Sequence, residues 1–288
     1  MHWTTRRENF RKQLVTNVCI HPASVYDPVT MRIAEDLGYE AGMLGGSVAS
    51  LAVLGAPDLI TLTLSEFSGL ILRMNRAANL PLVVDADHGY GNALNVRRTV
   101  EELETAGVVA MTLEDTLLPA GFGDKGRARL IPIEEGVGKM RAAVDARQDK
   151  DLVIVGRTSA ASITNVEDAI VRACAYEATG IDAMFFIGLD SREKLNAVAA
   201  ATKLPIFLGT LTPEINDKDY LATRRVRVAL TGHPTFPAAV QAAYNTLKAQ
   251  REGTPTEKLQ GMASNQMMKK YTRDADYTKY LNEHLGER

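Results

Sequence analysis

Two carboxylates, Asp85 and Asp87, close the apolar run Leu82-Val83-Val84 and open the turn His88-Gly89-Tyr90-Gly91-Asn92. In an extended chain, residues two apart point the same way. Acids that close repel each other unless a proton or a cation lies between them. A hard divalent ion such as Mg2+, which takes oxygen ligands, suits the pair. A lone Asp-x-Asp is more often a hydrated turn. Four further residues shift that balance. Ser47 follows the apolar run 41–44, Glu114 the run 108–113, Arg157 the run 152–156 and His233 the run 226–230.

Each of these types has a chemistry and a plain alternative. The planar guanidinium of Arg157 suits a bidentate grip on a substrate carboxylate. Its alternative is a structural ion pair with a neighbouring acid. Ser47, with Gly45 and Gly46 before it, forms a turn whose N–H groups and hydroxyl can hold a carboxylate. Such a turn also serves simple chain reversal. His233 reads as a hydrogen-bond donor to a carboxylate or carbonyl, or as an ordinary loop histidine. His88 is an orienting group at best. Asp58, after Gly55-Ala56-Pro57, fits a helix N-cap or an acid in the outer shell of a cation.

The elements that must position these residues alternate along the chain. Short apolar runs at 14–20, 41–44, 81–84, 108–113, 152–156, 183–187, 204–208 and 226–230 read as strands. Longer amphipathic stretches lie between them, announced by caps such as Asp27-Pro28, Thr63-Leu64-Ser65-Glu66 and Asn165. Strand and helix alternating eight times predict an α/β fold, the (β/α)8 TIM barrel, over 1–252. Residues 253–288 read as a C-terminal helical extension. Such barrels place chemistry at the C-terminal ends of their strands, where Ser47, Asp85, Glu114, Arg157 and His233 fall. The glycine-containing stretch Leu117 to Ile131 reads as a mobile lid.

Composition narrows the partners. The 288 residues are 45% hydrophobic, ample for a core, and the net charge of −2 gives no reason to expect nucleic acid or an anionic membrane. No apolar run reaches the ~20 residues of a membrane helix. The N-terminus opens polar, without the apolar core of a signal peptide. Two cysteines, Cys19 in the barrel interior and Cys174 on a helix, suggest no disulfide framework and suit a reducing cytoplasm.

With these residues in place, the chain resembles the isocitrate lyase/phosphoenolpyruvate mutase superfamily. Gly45-Gly46-Ser47-Val48-Ala49, Gly55-Ala56-Pro57-Asp58, Asp85 through Asn92, Glu114-Asp115 and Arg157-Thr158 occur in that family's order. The resemblance implies a Mg2+ site, with Mn2+ as the alternative, and an α-keto acid or its enolate as ligand. It implies Asp85 as the direct metal ligand and Asp58, Asp87 and Glu114 as acids acting through water. It implies Gly46 and Ser47 at the pyruvyl carboxylate and Arg157 on the substrate. It further implies a homotetramer whose subunits exchange the last barrel helix.

Departures choose among the family's chemistries. Its carbon–carbon lyases carry a lid cysteine that serves as an acid, and the lid here, 118–127, has none. The phosphonate branch uses a lid lysine and asparagine; Lys125 is present and the asparagine is not. His233, in Gly232-His233, matches the oxaloacetate decarboxylase branch, with His233 and Arg157 orienting the departing carboxylate. Ser159 and Leu211 depart from that branch, where Asn or Asp and a tyrosine are common. The resulting expectation is Mg2+-dependent decarboxylation of oxaloacetate, or a close 3-substituted analogue, to pyruvate and CO2 through a metal-stabilised enolate. The alternatives are a lyase on a 2-alkylmalate, a carbon–phosphorus enzyme, or a keto-acid-binding protein without turnover.

Overall fold

The computed structural model describes residues 2–124 and 126–286. Lys125, read above as a lid lysine, lies outside the described residues. Met1–Gly232 forms one compact unit and His233–Arg288 a second.

The first unit holds eight strands: β1 Ala23–Ser24, β2 Gly42–Leu44, β3 Leu82–Asp85, β4 Ala110–Glu114, β5 Val153–Thr158, β6 Ala183–Phe186, β7 Ile206–Leu208 and β8 Val226–Ala229. They pair in chain order, all in parallel. The two ends of the sheet meet at Ile20. Its N–H donates to the Arg227 carbonyl at 2.9 Å, and the Ala229 N–H donates to the Ile20 carbonyl at 3.0 Å. Closure removes the free edges a sheet would otherwise expose. The expected (β/α)8 TIM barrel is therefore the fold.

Helices of this unit are α1 Trp3–Val15, α2 Pro28–Asp36, α3 Gly46–Leu54, α4 Leu64–Ala77, α5 Ala93–Thr105, α6 Ile133–Ala146, α7 Ala160–Ile163, α8 Val166–Glu177, α9 Arg192–Ala201 and α10 Lys218–Thr223. The expected caps form. Asp27 accepts from the Thr30 N–H at 2.7 Å, and Thr63 and Glu66 bond reciprocally at the start of α4. Asn165 accepts from the Asp168 N–H at 2.8 Å to start α8.

One strand assignment is overturned. Residues 14–20 are not the first strand: α1 runs through Leu14, Ile20 makes only an isolated bridge, and β1 begins at Ala23. Phe10 and Leu14, four apart, share one helical face. That face joins the barrel interior with Met43, Val83, Val155, Phe185, Phe207 and Val228. The apolar run was therefore partly a helical stripe. A larger cluster fills the space between barrel wall and helices, and Cys19 belongs there, not to the interior.

The second unit contains α11 Thr235–Arg251, α12 Asn265–Thr272 and α13 Asp274–Leu285. None of the three helices buries a residue. Among the described residues, no helix is long and apolar enough to cross a membrane.

Candidate active site

The inward positions of β3, β4 and β5 build the polar part of the barrel mouth. Strand register sets Asp85 beside Thr112 and Glu114 beside Arg157. Arg157 pairs through Nη1 with Asp85, and its Nη2 lies 3.5 Å from Glu114 Oε2. The Thr112 hydroxyl donates to Asp85 Oδ1 at 2.8 Å, and the Asp87 N–H reaches the same oxygen at 3.3 Å. The Thr116 hydroxyl donates to Glu114 Oε2 at 2.7 Å. Beneath the guanidinium lies Phe185, whose ring centroid is 5.5 Å from the Arg157 Cζ. The Nε of Arg157 is buried and has no partner.

Asp87 approaches from above. A Cβ built on Gly46 would stand 2.5 Å from Asp87 Oδ1 and 2.8 Å from Oδ2. Only glycine lets that carboxylate rest on the first turn of α3. The turn that delivers it is costly. Asp87 adopts φ of 47° and Tyr90 φ of 61°, in a turn where Gly89 and Gly91 also have positive φ. A non-glycine residue there costs on the order of 1 kcal/mol, and such strain gathers at functional sites.

Charge is unbalanced at this mouth. Burial, then Asp85, Asp58 and Glu114, hold the Asp87 carboxyl well above the usual range. Burial raises Glu114 too, with Asp85 adding to it and Arg157 opposing. Asp58 rises through partial desolvation and then Asp85, although its loop is solvent-exposed. Burial alone would lower Arg157, but Asp85 and Glu114 overcome it and raise the guanidinium. Among the described residues, Asp58, Asp85, Asp87 and Glu114 all act on the one guanidinium of Arg157.

A divalent ion fits this donor set. A carboxylate offers about four lone-pair sites. Asp85 uses three of them, on Thr112, on the Asp87 N–H and on Arg157, which leaves one for a metal. Among the described residues, no group of three or more His, Cys, Asp or Glu side chains is arranged to hold a metal ion by itself. Mg2+ does not require one: it commonly takes one or two carboxylates and keeps its waters.

Other expected residues are placed as follows. Gly46 and Ser47 begin α3, a helix unforeseen in the sequence because it is apolar on buried and exposed sides alike, with Val48 and Ala49 inside and Leu51 and Leu54 outside. Asp58 is not a helix cap, since α4 starts at Thr63. His233 opens the second unit. The lid is tied at its base by the Thr116–Leu130 bridge and by the Leu117 N–H donating to the Arg129 carbonyl at 2.7 Å. Beyond that base, Arg129 pairs with Asp124 at 2.5 Å and Phe122 is fully exposed. Cys19 and Cys174 are free thiols, and Cys174 lies exposed on α8.

With this geometry, the chain matches the family model described as phosphoenolpyruvate phosphomutase over residues 10–251. The chain belongs to this family. Among its relatives is a protein of Bradyrhizobium diazoefficiens named oxaloacetate decarboxylase, 58% identical over 96% of each chain. A protein of the same name from Rhodopseudomonas palustris is 58% identical, covering 96% of this chain and 95% of its own length. A solved phosphonopyruvate hydrolase complex with oxalate and Mg2+ has a TM-score of 0.85 at 26% identity, covering 97% of this chain and 99% of its own. The chain is thus an enzyme of the phosphomutase family.

Reading the sequence missed Thr112, whose partner Asp85 is set by the β3–β4 register, and Thr116, whose hydroxyl turns back to Glu114 two residues before it. It also gave Asp115 no separate role. That residue is fully buried and accepts from the Tyr176 hydroxyl at 2.8 Å and from Arg172 at 3.1 Å, a structural network behind the site.

Proposed function

We propose that this enzyme decarboxylates oxaloacetate, or a close 3-substituted analogue, to pyruvate and CO2, with Mg2+ as its cofactor. The observation that carries this reading is the set of four acids around Arg157 at the barrel mouth, with no thiol in the lid. Relatives at 58% identity bear the matching name.

Asp85 would hold the cation directly, with Asp58, Asp87 and Glu114 holding it through water; Mn2+ could take the same place. The bound cation would act as a Lewis acid on the 2-oxo group. Thr112 and the Asp87 N–H fix the Asp85 carboxylate in one rotamer. The first turn of α3 binds the pyruvyl carboxylate. Its N–H groups at Gly46 and Ser47, together with the Ser47 hydroxyl, suit an anion at a helix N-terminus. The unpartnered Nε–H of Arg157 supplies a donor for the substrate. His233 enters on family resemblance, as the group that orients the departing carboxylate with Arg157. No general acid is needed for the bond to break, which fits a lid without cysteine.

We also propose a homotetramer that exchanges α11, the eighth helix of a catalytic domain spanning 1–252, with 253–288 as its extension. This is supported by the exposure of Val240, Tyr244 and Leu247 on α11. A hydrodynamic mass near the 31.4 kDa of one chain would reject it. The two free thiols support a cytoplasmic setting; an oxidised, exported form recovered from cells would reject it.

A substrate panel tests the activity. Purified enzyme with Mg2+ is expected to favour oxaloacetate over 2-alkylmalates and phosphonopyruvate by about tenfold or more in kcat/KM. Oxalate, an enolate mimic, is expected to compete with oxaloacetate. Faster turnover of a 2-alkylmalate or of phosphonopyruvate would replace this reading with a lyase or a carbon–phosphorus enzyme.

A further inference from the structure

The mouth of the barrel has two unlike halves. Alternation along the strands sends Phe185, Phe207 and Val228 into the interior, while Met184, Phe186, Leu208 and Ala229 face the helices. The next inward positions above the first three are Ile187, Gly209 and Leu230. Their N–H groups extend the ladder, donating to Thr158 at 3.1 Å, Phe186 at 3.1 Å and Leu208 at 2.8 Å. Ile187 and Leu230 are half-buried and pack on the interior cluster. The acids and Arg157 therefore line β3 to β5, and an arc without a single polar side chain lines these positions of β6 to β8.

The two halves adjoin over one ring. A Cβ on Gly209 would stand 2.1 Å from Ile187 Cδ1 and 3.1 Å from Phe185 Cε2, so the tip of Ile187 lies across Gly209 beside Phe185. The Arg157 guanidinium rests on the same Phe185. Phe207 braces that ring from 6.5 Å between centroids. Arg157 thus stands at the boundary, with an apolar surface next to it.

We propose that Ile187 and Leu230 form a dry wall against which the carboxylate that leaves as CO2 is held. This rests on the decarboxylase reading. In that reaction the bond from C3 to the departing carboxyl carbon breaks. Its electron pair moves into C2–C3 to give the enolate, the carboxylate departs as neutral CO2, and a proton from solvent later adds to C3. The charge on the departing group is full in the bound substrate and gone in CO2. An apolar surface therefore disfavours the ground state more than the transition state, the differential that speeds a step. Arg157 orients the group from one side, and the wall withholds water from the other.

Paired near-isosteric variants isolate polarity from volume. Ile187→Thr and Ile187→Val have closely similar shapes and differ by one hydroxyl. The threonine variant is expected to lose about tenfold or more in kcat relative to the valine variant, with KM for oxaloacetate unchanged or lower. The 13C isotope effect on released CO2 should rise, because carbon–carbon cleavage becomes more rate-limiting. Inhibition by oxalate, which has no departing carboxylate, should not change. Leu230→Gln against Leu230→Met repeats the comparison should Ile187→Thr fail to fold. Equal kcat within about twofold for either folded pair, or a rise in KM alone, would overturn the proposal. Wild-type enzyme that releases no CO2 would remove the decarboxylase reading and the wall with it. Wild-type turnover with indifferent variants would remove only the wall.

Discussion

Asp85 illustrates how a candidate site residue is shaped by partners that sequence alone does not announce. Its place after an apolar strand and its spacing from Asp87 were legible, because strand geometry converts sequence spacing into a shared face. Glu114 and Arg157 were legible for the same reason. The hydroxyl of Thr112 on Asp85 was not, since it depends on the β3–β4 register. Neither was the need for glycine at position 46, which arises from a carboxylate 41 residues away in sequence. His88 was read as an orienting group, and the structure adds that it is buried with its Nδ1 unpartnered. Burial, and then Lys139 nearby, lower its imidazole from the ordinary 6.5 to about 4. Unfolded chains take up a proton at this group below about 6.5, while the folded protein resists until about 4. Stability from this group is therefore present above that window and lost as pH falls through it. Thermal denaturation between pH 7 and pH 4 is expected to show a steep acid loss that His88→Gln makes shallower. An identical pH profile for the variant would contradict this assignment.

Among the elements, seven of eight strands stand where their apolar runs placed them. The exception, 14–20, failed because α1 turns the same residue types into a plug of helical period. Helix α3 went unseen because it lacks a polar face. The lid was expected to be mobile, yet its base is anchored. The Ile131 N–H donates to the Asp115 carbonyl at 2.8 Å, and Arg172 donates to the Ile131 carbonyl at 3.0 Å. The same Arg172 pairs with the buried Asp115 carboxylate, whose pKa burial raises while the Tyr176 hydrogen bond opposes. Removing one partner of a buried pair strands the other charge. Arg172→Met is therefore expected to lower the unfolding free energy in urea by roughly 3–5 kcal/mol. A variant whose urea midpoint equals wild type would show that the Asp115 network carries no such weight.

At the scale of the whole molecule, the barrel explains why residues from position 46 to position 230 meet at one mouth. Eight parallel strands end on one side, and the chemistry there splits into an acid-rich arc and an apolar arc. The eightfold alternation of strand and helix made that fold legible. The second unit was less so: its helices bury nothing within the chain, and such faces depend on neighbours that no single sequence contains. The central claim is that Asp85 anchors the cation which draws electrons from a bound 2-oxo acid. The most direct test is the rate of CO2 release from oxaloacetate with Mg2+, corrected for the rate with Mg2+ and no protein, in wild type and Asp85→Ala. Wild type is expected to turn over and Asp85→Ala to fall to the uncatalysed rate, with its far-UV spectrum retained. An Asp85→Ala enzyme that released CO2 as fast as wild type would contradict the account.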